Sequence, residues 1–277
     1  NATLEHVHNQ QYMTRQALTA RSHEDYGQTN AMYETQIIVQ RVRSINEQIQ
    51  HVELALPAQL VEMLPGQTLL VRASERWDPY LREQWWPVLF NGATMTVERP
   101  AGLVYEPGQT LNALGPIGEP YRFRRTLRHV LLMACDTAPT ALLAMIPMLL
   151  ANQTAVTVAL LGEAASYKTA HLPPEVEVVR GDTDLNWPDR VLTVGVADQV
   201  FAVVHPDDEI ARFKRLQAMF TELRADIPKH YLFGVFRPPL PCGAGACQAC
   251  MIRLPQGAVA LICKDGPSLD LSQVNLP

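Results

Sequence analysis

Four cysteines near the end of the chain constrain it more than anything else. Cys242, Cys247 and Cys250 lie in the run Cys242-Gly243-Ala244-Gly245-Ala246-Cys247-Gln248-Ala249-Cys250, and Cys263 follows. Four residues separate the first two cysteines, two the next pair, and twelve precede the fourth. A C-x4-C-x2-C run with a later fourth thiol is the spacing of one class of [2Fe–2S] site. The small residues between let the backbone curl and bring its N–H groups close to an anionic cluster. A disulfide framework fits poorly, because thiols this close in a tight loop pair badly and the chain holds an odd total of five. A structural zinc site stays open as an alternative, although it usually shows two C-x2-C pairs and only one is present. Cys135, far upstream in an apolar run, reads as a small core residue.

The chain has 277 residues, 47% of them apolar, enough for two or three domains. A net charge of −5 argues against nucleic acid as a partner. The longest apolar stretch, Val130 to Leu150, is broken by Asp136, Pro139 and Pro147, so no transmembrane segment is expected. The opening residues carry no signal-peptide pattern, and clustered free thiols suit a reducing, cytoplasmic setting. Only 18% of residues are charged, which hints at surface buried against a partner subunit in a hetero-oligomer.

Residues 1–34 form a polar arm rich in Gln, His, Asn and Thr, with a candidate helix over Gln11 to Arg21. The arm is either a loose tail or a segment that orders on a partner. Residues 35–123 read as six short strands: Thr35–Arg43, His51–Leu56, Gln67–Ala73, Trp85–Phe90, Thr94–Glu98 and Gln109–Leu114. Turns at Pro65-Gly66, Asn91-Gly92 and Pro107-Gly108 separate them, and the set predicts a small antiparallel barrel. Residues 124–236 alternate strands with helices. Strands are expected at Leu127–Ala134, Val156–Leu161, Glu175–Arg180, Val191–Val196, Phe201–Val204 and Tyr231–Phe236, and helices at Ala138–Leu150 and Pro206–Leu223. The fold class is therefore α+β and multidomain: a small antiparallel β-barrel, an open α/β domain of nucleotide-binding type, and a small C-terminal [2Fe–2S] domain over 237–277.

This order resembles the electron-transfer subunit of class B dihydroorotate dehydrogenase, within the ferredoxin–NADP reductase superfamily. It is similar also to the small subunit of NAD-dependent ferredoxin–NADP oxidoreductase and to some hydrogenase gamma subunits. The matching stretches are Pro65-Gly66-Gln67, Asp78-Pro79-Tyr80-Leu81-Arg82, Leu114-Gly115-Pro116-Ile117-Gly118, the Cys242 to Cys250 loop, and Cys263-Lys264-Asp265-Gly266-Pro267. The resemblance implies a barrel for FAD, an α/β domain for NAD(P)H, and a cluster that passes electrons to a partner.

Three parts depart from that pattern. The Arg-Pro-x-Ser/Thr run of the flavin site is replaced by Arg82-Glu83-Gln84-Trp85-Trp86-Pro87, which puts an acid where flavin phosphates need positive groups. Trp85 and Trp86 either stack on a flavin or fill its space. The Gly-x-Gly-Thr loop has shortened to Val97-Glu98-Arg99-Pro100-Ala101-Gly102. After the first α/β strand the chain reads Cys135-Asp136-Thr137-Ala138-Pro139, with no glycine, and Asp136 or Thr137 is placed to cap the helix. Asp207, Asp208 and Glu209 open the last helix. The expected cofactor is a [2Fe–2S] cluster on Cys242, Cys247, Cys250 and Cys263, with FAD open and NAD(P)H not expected. No catalytic residue constellation is found. The chain is expected to be an iron–sulfur electron-transfer subunit of a larger redox complex, on a reductase-like scaffold with degraded nucleotide sites. An active FAD/[2Fe–2S] subunit oxidising NAD(P)H and a Zn-stabilised structural subunit stand as alternatives.

Overall fold

The computed structural model describes residues 31–73 and 81–277. The expected arm helix and the Asp78-Pro79-Tyr80 element lie outside the described residues. The first sheet holds seven strands: β1 (Tyr33–Ser44), β2 (Ile49–Ala55), β3 (Thr68–Arg72), β4 (Glu83–Trp85), β5 (Pro87–Asn91), β6 (Thr94–Pro100) and β7 (Thr110–Ile117), in the order β4-β3-β7-β1-β2-β6-β5. All its pairings are antiparallel, and it curls into a nearly closed barrel around Ile37, Val52, Leu54, Leu69, Trp85, Met95 and Leu111. Alternation explains this core: β2 is buried at every second residue.

One expected strand, Trp85–Phe90, is two. The chain leaves β4 at one edge, passes Trp86, and enters β5 at the opposite edge. Pro87 begins the second strand, where a residue without an N–H is tolerated.

The second sheet runs β10-β9-β8-β11-β12-β15, from β8 (His129–Cys135), β9 (Ala155–Leu161), β10 (Glu177–Gly181), β11 (Gln199–Val204), β12 (Leu232–Val235) and β15 (Ser268–Asp270). The first five are parallel, and β15 joins the edge antiparallel to β12. β8 and β11 are apolar almost throughout because helices cover both faces. The strand order reverses between β8 and β11, which is where open α/β sheets bind ligands.

The helices differ from expectation in two places. The segment 138–150 holds two short helices, α1 (Thr140–Leu143) and α2 (Ile146–Ala151), because Pro147 needs a helix start rather than an interior. Residues 191–196, expected as a strand, belong to helix α3 (Arg190–Val196), which packs only Val194 fully inside. Their apolar run misled because half of it, Val191, Leu192 and Val196, faces solvent. The amphipathic helix α4 (Glu209–Leu223) buries Phe213, Leu216, Met219 and Phe220, as its period predicts. Helix α5 (Ile262–Asp265) and the two-stranded sheet of β13 (Met251–Arg253) and β14 (Val259–Leu261) complete the chain.

Candidate functional site: a cysteine loop beside the switch-point crevice

The cysteine loop lies between β12 and β15. Gly243 and Gly245 both adopt positive φ. A Cβ on Gly243 would come within 2.9 Å of Leu70 and Ile117, so the loop rests directly on the barrel. A Cβ on Gly245 would come within 2.6 Å of the Lys264 stem. Gly118 donates its N–H to Cys263 O at 3.1 Å, a second tie between barrel and loop.

The four thiols fall into two pairs. Cys250 Sγ and Cys263 Sγ are 3.4 Å apart and buried. Cys242 and Cys247 lie together nearer the surface, the Cys247 N–H donating to Cys242 Sγ at 3.5 Å and Cys247 being exposed. Among the described residues, no three thiols have all their sulfurs within 4.8 Å of one another. Backbone N–H groups point at the sulfurs: Ala244 and Cys247 donate to Cys242 Sγ at 3.4 and 3.5 Å, Gly245 to Cys263 Sγ at 3.2 Å, and Cys263 to Cys250 Sγ at 3.5 Å. Burial works against a charge on Cys242, but these N–H donors outweigh it and hold the thiol down at about 6. Burial and the neighbouring Cys250 push Cys263 up to about 12. Donors converging on sulfur, two spaced thiol pairs and glycine-only clearance suit a two-iron cluster. Cys135 is apart from this site, buried in the α/β core as expected.

At the switch point of the parallel sheet, side chains of the chain bond across the strand ends. Arg237, two residues past β12, reaches across it: its guanidinium donates to Val204 O at the end of β11 and to Thr137 Oγ1 just beyond β8. Its own N–H donates to both carboxylate oxygens of Glu209. Burial raises Glu209 to about 7 and lowers Arg237, each leaning on the other. Asp136 does not cap a helix. The N-cap of α1 is Pro139, with no side-chain cap. Instead Asp136 turns in the left-handed region, accepts the Glu163 N–H at 3.2 Å, and pairs with Arg212 at 2.6 Å. A Cβ on Gly162 would come within 1.9 Å of Asp136 Oδ1, so this carboxylate is seated tightly.

The seam between the two sheets is closed by Glu98. This residue of β6 lies opposite His51 of β2, and its side chain is 3% exposed. Its Oε1 meets His51 Nε2 at 3.3 Å, His171 Nε2 at 3.4 Å and the Tyr167 hydroxyl at 2.5 Å, while Oε2 accepts from Thr140 at 2.7 Å. Burial opposes the charge, yet these four partners hold the carboxyl down at about 2. Of the flavin-region tryptophans, Trp85 is a barrel core residue, edge-on to Tyr105, covered by Arg99 and bonded to Glu83. Trp86 packs partly buried on the α/β core. Arg82 bonds Glu34 and Asn112. Sequence reasoning missed Arg237 and the Glu98 cluster, whose members are scattered along the chain. Only the antiparallel register of β2 and β6, strands far apart in the chain, pairs His51 with Glu98.

Residues 240–275 match the family described as the iron–sulfur cluster binding domain of dihydroorotate dehydrogenase B. No curated protein matches the sequence. Among solved structures, an NADH-dependent reduced ferredoxin–NADP oxidoreductase of flavin-based electron bifurcation aligns with TM-score 0.64 and 17% identity, over 86% of this chain and 89% of that one. An Amycolatopsis cytochrome P450 reductase aligns with TM-score 0.52 and 18% identity, over 74% and 71%. The ferredoxin reductase of carbazole 1,9a-dioxygenase aligns with TM-score 0.51 and 16% identity, over 73% and 68%. At these identities the likeness is one of fold. The chain thus has the ferredoxin reductase-like fold and ends in a segment that matches an iron–sulfur cluster binding domain.

Proposed function

We propose that this protein is an iron–sulfur electron-transfer subunit of a larger redox complex, built on a reductase-like scaffold whose nucleotide sites are taken by its own side chains. The observation that carries this reading is the pairing of the thiols. Cys242 with Cys247 and Cys250 with Cys263 form two separated pairs. Four thiolates around a single zinc would lie about 3.8 Å apart in every combination, from tetrahedral Zn–S bonds. The spread beyond 4.8 Å within every set of three favours two metal atoms. Cys242, Cys247, Cys250 and Cys263 would hold the cluster, and a bound [2Fe–2S] group supplies one-electron transfer. The chain's own contribution is positional. It aims N–H donors at the sulfurs, buries the Cys250–Cys263 side and leaves the Cys247 side open to a partner.

Arg237 across the switch point and Asp136 in the first loop support the absence of a nicotinamide nucleotide. The glycine turn that would admit pyrophosphate is replaced by a carboxylate already paired with Arg212. Trp85 in the barrel core supports a barrel packed without flavin.

One visible spectrum with iron, sulfide, zinc and flavin analysis tests the proposal. A brown protein with two irons per chain, no flavin and no bleaching by NADH is expected. Released flavin with bleaching by NADH would make it an active reductase subunit. A colourless protein with a single sulfur-bound zinc would remove the redox role.

A further inference from the structure

From the seam between barrel and α/β sheet we infer a second metal site, independent of the cysteine cluster: His51, Glu98 and His171 bind one divalent first-row cation, with zinc best matched. The three donors come from separate elements, β2, β6 and the loop following the 162–166 turn, and their ligand atoms all lie within 4.8 Å. Two imidazole nitrogens and one carboxylate oxygen form a borderline donor set that suits zinc.

The spacing narrows the geometry. His51 Nε2 and His171 Nε2 stand 3.3 and 3.4 Å from the same Glu98 oxygen. The edge of a tetrahedron with Zn–N and Zn–O bonds near 2.0–2.1 Å is about 3.3 Å, whereas an octahedral edge at that bond length is about 2.9 Å. Both imidazole nitrogens therefore stand from the Glu98 oxygen at the edge length of a tetrahedral ion, and within 4.8 Å of each other. Both imidazoles turn the same nitrogen inward, with rings edge to face at 5.3 Å. The Tyr167 hydroxyl, 3.1 Å from His171 Nε2 and 2.5 Å from Glu98 Oε1, closes the remaining side. Thr140 holds the other Glu98 oxygen at 2.7 Å and so fixes the carboxylate's orientation from outside, as carboxylate ligands commonly require. Each histidine side chain is 12% exposed, so a cation enters through a narrow opening and is then shielded.

The ligands straddle two sheets. His51 and Glu98 belong to the barrel, His171 to the α/β region. A cation here clamps the seam between them and has no need of an open substrate position.

The test uses the full chain with its cysteine cluster loaded, so that the thiols are occupied. After passage through chelator and titration with Zn2+, the wild type retains one zinc per chain, with X-ray absorption showing nitrogen and oxygen neighbours and no sulfur shell. His171→Ala and Glu98→Gln lose that zinc while keeping the visible band of the cluster, which reports an intact fold. A wild type that holds no zinc overturns the proposal, leaving a hydrogen-bonded cluster only. A sulfur shell, or zinc kept by both variants, overturns it equally.

Discussion

The cysteine loop and the switch-point crevice are both places where this fold class accommodates a ligand, and the chain treats them oppositely. In the loop, glycines withhold side chains and N–H groups aim at three of the four sulfurs. In the crevice, Asp136 pairs with Arg212, and the Arg237 guanidinium donates to Val204 O and Thr137 Oγ1. A site meant for a guest leaves donors pointing inward. In the crevice the Arg237 Nη2 and Arg212 donors find partners within the chain, while Arg237 Nε is buried without a hydrogen bond. The contrast can be read from hydrogen-bond partners alone, without a bound molecule.

The strongest way to break the contrast is at the loop. Cys250→Ser and Cys263→Ser should each abolish the visible absorption of the purified protein, as should Cys247→Ser. Proteolysis beyond Pro238 should rise most for the two buried positions. An unchanged spectrum in any of these variants would remove that residue as a ligand.

At the seam, Glu98→Gln should cost about 3 kcal/mol in denaturant unfolding near neutral pH, because buried donors lose a charged partner. With chelator present, the wild type should also lose stability in acid. The Glu98 carboxyl lies at about 2 folded against an ordinary 4.5, so its contribution is complete above 4.5 and disappears as pH falls toward 2. At about 1.4 kcal/mol per unit this amounts to about 3 kcal/mol, and the Gln variant should show a flat profile there. A wild type with no acid loss over that window would sink the assignment.

In the crevice, Arg237→Ala removes the guanidinium bonds to Val204 O and Thr137 Oγ1, while Glu209 keeps the backbone N–H of residue 237, and should destabilise by about 1–3 kcal/mol in denaturant unfolding. Gly243→Ala should cost about 1–2 kcal/mol and blue-shift or weaken the cluster band, since its Cβ meets Leu70 and Ile117 at positive φ. Smallest of all, Asp184→Ala removes an exposed ion pair with Arg215 and should change stability by less than about 0.5 kcal/mol. A large effect there would show that surface charges contribute more than their geometry suggests.

Much of this was legible from local pattern. The thiol spacing needs only a dozen residues of context, and the barrel strands announce themselves by alternation and by turns such as Asn91-Gly92. The α/β strands β8, β9 and β11 follow from apolar runs. Where a short apolar run carries no period, as in 191–196, strand and helix look alike. The segment 138–150 reads in sequence as one helix, although Pro147 suits a helix start rather than an interior. The Glu98 cluster was illegible because its five residues span 51 to 171, and no local rule joins them. The same holds for Arg237 and Val204, brought together only by the parallel sheet.

The cysteine loop leaves the α/β sheet at β12 and returns to it one strand over. Phe236 donates to Pro267 O at its neck, and Val235 pairs with Ser268. Both ends of the excursion are therefore anchored to adjacent rows of the same sheet. Such a loop has no tether on which to swing. Any traffic of electrons through it must come to a stationary post, and the approaching partner has to do the travelling. The returning strand also covers a hydrogen-bonding edge that would otherwise invite another chain.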